Sequence, residues 1–210
     1  MRSLLLATLI ALGACASASA EVKSAPMAGP ADAMIAKTYR VTIDCGGETK
    51  PGGTAVDLGG GYLATAGHVI EGDELCSFVL DQDGSPRKVV SLAHRKHAEV
   101  DLGILYAPEL DTNHGAELCE RPLGSTLFAV GYPRGPDDRI QRLTVTRGVL
   151  ATEATWDDGQ ARIDAPIFFG NSGGGAWAED GCLVGITVSG YMELDGWYFI
   201  VPSGRVKDLV

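Results

Sequence analysis

The most restrictive feature of this chain is its punctuation. From Tyr39 onward it is written as short β-branched and aromatic runs that Gly, Pro, Asp and Asn keep interrupting. Such spacing suits strands joined by tight turns, and 28 glycines among 210 residues argue against long helices. The first runs are Arg40–Ile43, Gly53–Leu58, Tyr62–Ala66, Cys76–Leu80 and Lys88–Ala93. A second set follows at Leu102–Tyr106, Thr126–Gly131, Arg139–Val149, Ala161–Ile163, Gly175–Ala178, Cys182–Val188 and Trp197–Val201. The pattern is all-β, and two sets divided near Ala107–Gly124 suggest two barrels. Pro202–Val210 reads as a short helix started by Ser203.

The segment before these runs has a different character. Met1–Ala20 reads as an export signal: Arg2 is a minimal charged start, Leu4–Leu12 is an apolar stretch too short to span a bilayer, and small residues follow. Two processing readings stand side by side. Ala18-Ser19-Ala20 is a small-x-small cleavage site ahead of Glu21, whereas Leu12-Gly13-Ala14-Cys15 has the form of a lipobox whose Cys15 would be acylated, and the second is slightly favoured. Either places the mature protein outside the cytoplasm, as a periplasmic, membrane-anchored or secreted species. Residues 21–38 are rich in Ala, Pro and Ser and read as a flexible spacer that stays out of the core, with one short apolar patch at Ala33–Ala36. The folded domain is expected over 39–210. A formal charge of −10 repels nucleic-acid phosphates, so no nucleic-acid partner is expected.

Chemistry is concentrated in Gly170–Gly175, which reads GNSGGG. Glycines on both sides of Ser172 allow a bend that aims peptide N–H groups at one point beside the hydroxyl, which is the form of an oxyanion hole built from the N–H groups of Gly170 and Ser172. Upstream, YLATAGHVI brings β-prone residues up to His68, and AEVDLGILY sets Asp101 inside an apolar run. Base, orienting carboxylate and nucleophile occur in the order His, Asp, Ser, each beside a strand. A serine esterase is a rival with the same triad, but an α/β-hydrolase would place its GxSxG nucleophile before the histidine, and the order here argues against it. A metal site is not expected, since no CxxC or HExxH spacing occurs and His94 and His97 lie in a charged loop where solvation is the simplest reading. No cofactor is called for.

With these residues in view the chain resembles the trypsin-like (chymotrypsin-fold) serine peptidases, most closely the bacterial HtrA/Deg-type branch. The resemblance runs from about Tyr39 to Val210 on GTAVDLGGGYLATAGHV, EVDLGILYAP, FAVGYPRG, VTRGVLAT, DAPIFFGNSGG, VGITVSG and FIVPSGRVKDLV. It implies two six-stranded antiparallel β-barrels, about 39–107 and 124–201, with the active site in the cleft between them. It also implies an endopeptidase acting on protein or peptide substrates through an acyl-enzyme, with His68, Asp101 and Ser172 as the triad. The sequence stops where a PDZ module would follow, so regulation through such a module is not carried over, and oligomeric state is left open. The alternative reading is a catalytically inactive relative serving as a binding protein or lipoprotein.

Finer expectations also follow from the resemblance. Pro166, Ile167, Phe168 and Phe169 would form one wall of the primary specificity pocket and Val188, Ser189 and Gly190 the other. The position six before the serine, where a Lys- or Arg-specific enzyme needs a carboxylate, is Pro166, and Asp164 should point away. Cleavage is therefore expected after small or medium apolar residues, with Trp197 or Phe168 available to fill the pocket base. Asn171 stands where trypsin-like zymogens carry an aspartate, so no propeptide trimming is expected. Setting Cys15 aside, four cysteines remain and allow three pairings, of which the two-barrel division favours Cys45–Cys76 and Cys119–Cys182.

Overall fold

A computed structural model describes residues 29–71, 76–83, 85, 89–91, 93–110, 114–135, 142–153, 159–191 and 193–209. The export signal with Cys15, and the spacer up to residue 28, lie outside the described residues. Two curled antiparallel sheets make up the body. The first contains β1 (Thr38–Cys45), β2 (Glu48–Gly59), β3 (Tyr62–Thr65), β4 (Ser77–Asp81), β5 (Val89–Val90), β6 (Ala93–Lys96) and β7 (Gly103–Tyr106), in the order β5-β4-β1-β2-β3-β7-β6. The second contains β8 (Thr126–Gly131), β9 (Thr144–Val149), β10 (Ala161–Ile163), β11 (Gly175–Ala178), β12 (Leu183–Gly190) and β13 (Tyr198–Pro202), in the order β10-β13-β12-β11-β8-β9. This is the expected all-β, two-barrel architecture, with seven strands rather than six in the first sheet. The extra strand arises because the run Lys88–Ala93 divides into β5, which pairs with β4, and β6, which pairs with β7.

Strands β11, β12 and β13 are buried along most of their length because both of their faces are covered. Along β11 and β13 the side chains alternate between two cores, as the two-residue period of a strand requires, and β12 contributes to both. Trp177, Leu183, Ile186, Phe199 and Val201 join the core shared with the first sheet, where they meet Val41, Val56, Leu63, Leu102 and Leu105. Ala176, Ala178, Val184, Tyr198 and Ile200 fill a separate core with Leu127, Leu150, Ile163 and Ile167. The shared core packs the two sheets against each other. The disulfides are Cys45–Cys76, tying the end of β1 to the segment before β4, and Cys119–Cys182, tying the inter-sheet connection to the start of β12.

Three expectations need correction. The spacer does not extend to residue 38: Pro30–Ala36 forms helix α1, with proline in its first turn, where a missing N–H costs nothing. Met34 of this helix is buried in the shared core, the Thr38 hydroxyl donates to its carbonyl at 2.8 Å, and the Gln82 amide donates to the Ala36 carbonyl at 2.9 Å. At the other end, α2 (Ser203–Val206) forms where expected, but Ser203 is not its side-chain cap. Its hydroxyl donates to the Cys119 carbonyl at 2.8 Å and pins the helix to the inter-sheet connection. His94 and His97 are not merely solvated either. His94 packs edge-on against Phe78 at 5.1 Å between centroids, and His97 Nδ1 accepts the Glu99 N–H at 3.1 Å, bracing the bend that leads to Asp101.

Candidate active site

His68 lies just past β3, in a single 3₁₀ turn over Gly67–Val69 anchored in the core by buried Val69 and Ile70. Asp101 ends the bend before β7, and β7 pairs with β3, so both residues leave neighbouring strands on the same side of the sheet. The carboxylate grips the histidine twice: Oδ1 accepts the His68 backbone N–H at 2.8 Å, and Oδ2 lies 2.6 Å from Nδ1. An ionised carboxylate can only accept, so Nδ1 carries a proton, and in the neutral ring Nε2 is the acceptor. Burial pushes the Asp101 carboxyl upward, but its hydrogen bonds to His68, the His68 charge and the Lys96 ammonium outweigh this and hold it below its usual value.

Ser172 occupies the turn between Gly170 and β11. Gly170 and Gly173 have φ of 95° and 88°, in the region that disfavours a side chain. At Gly173 a Cβ would also lie 2.0 Å from the Thr54 carbonyl oxygen and 2.2 Å from the Thr65 hydroxyl, both on the first sheet. The turn is stitched by buried threonines. The Thr187 hydroxyl donates to the Asn171 carbonyl at 2.6 Å, the Gly173 N–H donates to the Thr187 carbonyl at 2.7 Å, and the Thr54 N–H donates to the Ser172 carbonyl at 2.8 Å. Asn171 is buried, and its N–H donates to the Phe168 carbonyl at 2.9 Å. The N–H groups of Gly170 and Ser172 donate to no described residue. The Ser172 hydroxyl donates to the Val188 carbonyl at 3.4 Å and makes no hydrogen bond to His68. Relays of this kind are commonly loose without substrate, and rotation about one side-chain bond redirects the hydroxyl.

Beside Ser172 opens a cavity of about 130 Å³ lined by Ile167, Phe168, Phe169, Ser172, Ser189 and Gly190. Two residues expected in its walls do not line it. Val188 is buried in the shared core and contributes only the carbonyl already described, and the Pro166 carbonyl accepts the Thr146 hydroxyl at 2.6 Å. Asp164 is turned toward β9, where it accepts the Val149 N–H at 2.5 Å. Phe168 reaches the cavity, whereas Trp197 packs beneath the Arg162 guanidinium at 4.7 Å. A larger cavity of about 290 Å³ lies across the second sheet, between Leu150, Ala161, Val184 and Ile200, and has no Ser172 or His68 in its lining. Among the described residues no three His, Cys, Asp or Glu side chains are grouped to hold a metal ion. Thr54, Thr65, Thr187, Tyr132 and Arg134 lie inside the motifs quoted above, but sequence reasoning gave them no role, because they act through single hydroxyls and backbone groups whose partners are distant in the chain.

The chain is similar to known proteins in sequence and in fold. Residues 53–186 match the trypsin-like peptidase domain. Over 168 residues the chain is 30% identical to Protease Do-like 2, chloroplastic, of Arabidopsis thaliana, covering 74% of this chain and 27% of that protein. It is 28% identical to the serine protease Do-like HtrA of Lactobacillus helveticus, covering 72% of this chain and 39% of that one. The chain thus spans between about a quarter and two fifths of these relatives' length. In fold it is similar to the serine endoprotease from Yersinia pestis, with a TM-score of 0.71 at 22% identity over 86% of this chain and 63% of the other. It is equally similar to the HtrA-type protease AlgW solved with a decapeptide, with a TM-score of 0.71 at 20% identity over 87% and 65%.

Proposed function

Because the chain belongs to the trypsin-like peptidase family, with a protease domain of HtrA type, we propose that it is an exported serine endopeptidase that cleaves after small or medium apolar residues. In this reading Nε2 of His68 removes the Ser172 proton as Oγ attacks the scissile carbonyl. Asp101 holds the imidazole in the required tautomer and stabilises the imidazolium. The Gly170 and Ser172 N–H groups receive the developing oxyanion, each worth roughly 3–4 kcal/mol in comparable sites. His68 then returns the proton to the leaving amine, and water releases the acyl group by the same steps in reverse roles. The single observation that carries the reading is the double grip of Asp101 on His68, which orients Nδ1 toward the carboxylate and leaves Nε2 as the ring nitrogen available to Ser172. The test is a fluorophosphonate probe on the purified mature protein: one label at Ser172, lost in Ser172→Ala, is expected. A folded protein that takes no label would overturn the reading and favour an inactive binding relative.

The specificity rests on the cavity lining, where among the described residues the only polar side chains are the two hydroxyls of Ser172 and Ser189. Burying an arginine there without a counter-charge costs several kcal/mol, whereas burying Val or Leu gains about 1.5–3 kcal/mol. Matched peptides should therefore favour Val or Leu over Arg before the scissile bond by at least about a hundredfold in kcat/KM. AlgW, with its decapeptide, is a precedent for peptide ligands on this fold. Asn171 carries no charge to pair with a freed N-terminus, so signal-free protein should take the label without clipping near Tyr39. Acylation at Cys15 would anchor the enzyme at a membrane, and mass spectrometry of the mature N-terminus distinguishes it from a soluble form starting at Glu21.

A further inference from the structure

We propose that Thr54 is a positioning residue that fixes the direction of the Gly170 N–H, and so sets the oxyanion hole from the opposite sheet. The inference rests on the hydrolase reading above. Thr54 lies on β2 of the first sheet, fully buried, and is bonded through every polar atom it has. Its hydroxyl donates to the Gly170 carbonyl at 2.8 Å and accepts the Tyr132 N–H at 2.9 Å. These directions are forced, because a peptide N–H only donates and a carbonyl only accepts. Its own N–H donates to the Ser172 carbonyl at 2.8 Å, and its carbonyl accepts the Thr65 hydroxyl at 2.7 Å. One residue thus clasps the turn on both sides of Asn171.

The consequence for the oxyanion site lies in the peptide joining Phe169 to Gly170. That peptide is trans, so its N–H points away from its carbonyl. The Phe169 carbonyl accepts the Arg134 N–H at 2.6 Å, which turns the Gly170 N–H to the other side. At the next peptide the Thr54 hydroxyl holds the Gly170 carbonyl. With both flanking carbonyls tied, neither φ nor ψ of Gly170 can rotate without breaking a bond. Glycine has no side chain to resist such rotation itself, so the restraint must come from outside the turn. A donor aimed in advance at the place where charge develops needs no reorganisation during the reaction. The Thr54 hydroxyl bonds neither to the Ser172 hydroxyl nor to any other residue lining the cavity, so its loss should act on the transition state and leave ground-state peptide binding intact.

The experiment compares wild type, Thr54→Val, which removes the hydroxyl at nearly constant shape, and Thr54→Ser, which keeps it. For a fluorogenic peptide, Thr54→Val is expected to lower kcat about 10- to 100-fold, somewhat less than the loss of an oxyanion donor itself. Inhibition by a peptide boronic acid, which becomes tetrahedral on Ser172, should weaken by a similar factor. Peptide Kd measured in a Ser172→Ala background should change by less than about twofold, and Thr54→Ser should restore most of kcat. Thr54→Ala is the second hydroxyl-free variant should Thr54→Val not fold. Unchanged kcat in a folded hydroxyl-free variant overturns the proposal, as does a Thr54→Ser variant as slow as Thr54→Val. Peptide Kd weakening in step with kcat, or failure of both hydroxyl-free variants to fold, overturns it in favour of a framework role. A wild type that takes no fluorophosphonate label overturns the hydrolase reading, whereas a labelled wild type matched in rate by Thr54→Val overturns this inference alone.

Discussion

Asp101→Asn gives the sharpest test of the proposed relay, because the structure dictates how the amide must sit. Asp101 Oδ1 accepts the His68 backbone N–H at 2.8 Å, and that N–H can be met only by the oxygen of an asparagine. The NH₂ group is then forced onto the other position, 2.6 Å from His68 Nδ1, where it can only donate. Nδ1 must become the acceptor, so the ring proton moves to Nε2 and the base that should receive the Ser172 proton is already occupied. The expected loss is about 10⁴-fold in kcat, or roughly 5.5 kcal/mol of transition-state stabilisation. Folding stability should barely move. Two hydrogen bonds to a charged group are exchanged for neutral ones, and the His68 side chain is 44% exposed, so about 1 kcal/mol is the expected cost. Steady-state kinetics on a fluorogenic peptide, with thermal unfolding as control, provides the measurement. A variant within tenfold of wild type in kcat would refute the tautomer argument, and a large loss of stability would refute the claim that the effect is local.

The other predictions concern the frame around the site. Gly173→Ala should cost at least about 3 kcal/mol in urea unfolding, since a left-handed φ is combined with contacts of 2.0 and 2.2 Å to buried strands, and an unchanged midpoint would contradict the junction of the two sheets. The Asp101 carboxyl is held below its ordinary value of 3.8, so its contribution to stability is complete above that value and disappears as pH falls through the lower folded-state value. The stability gap between wild type and Asp101→Asn should therefore close as pH is taken from about 5 toward 2, and a gap that widens in acid would reverse the assigned sign. Removing Cys119–Cys182 by paired alanine substitution should cost about 4 kcal/mol from chain entropy, for a separation of 63 residues. Removing Cys45–Cys76, with a separation of 31, should cost a few tenths less.

Strands were legible because their signal is local. The runs Tyr62–Ala66, Ala161–Ile163 and Gly175–Ala178 each lie within a residue of an observed strand, since turn residues bound them on both sides. Helix α1 was hidden for the complementary reason. Seven residues of mixed Pro, Ala and Asp carry no periodic signal, and Met34 is buried only because the first sheet offers a place for it. The division between β5 and β6 was hidden too, because it is made by partners on different strands rather than by anything within Lys88–Ala93.

The site divides along the same line. The candidates His68, Asp101 and Ser172 stand out in the chain because each sits in a short stretch with its own character. The groups that orient the turn could not, since Thr54 reaches Gly170 across 116 residues and Tyr132 across 78. In sequence Thr54 is one β-branched residue in a strand, as any other would be. Its role appears only when the sheets are docked, and this has a consequence for how the enzyme is assembled. The second sheet carries the proposed nucleophile and the Gly170 N–H, yet the bond from the Thr54 hydroxyl to the Gly170 carbonyl, and the proposed base and its carboxylate, come from the first. The shared core that contains Trp177, Ile186 and Leu63 therefore does more than hold two sheets together. Any change that loosens it releases the clasp at Gly170 and Ser172 at once, so in this reading catalytic competence should fail before either sheet unfolds.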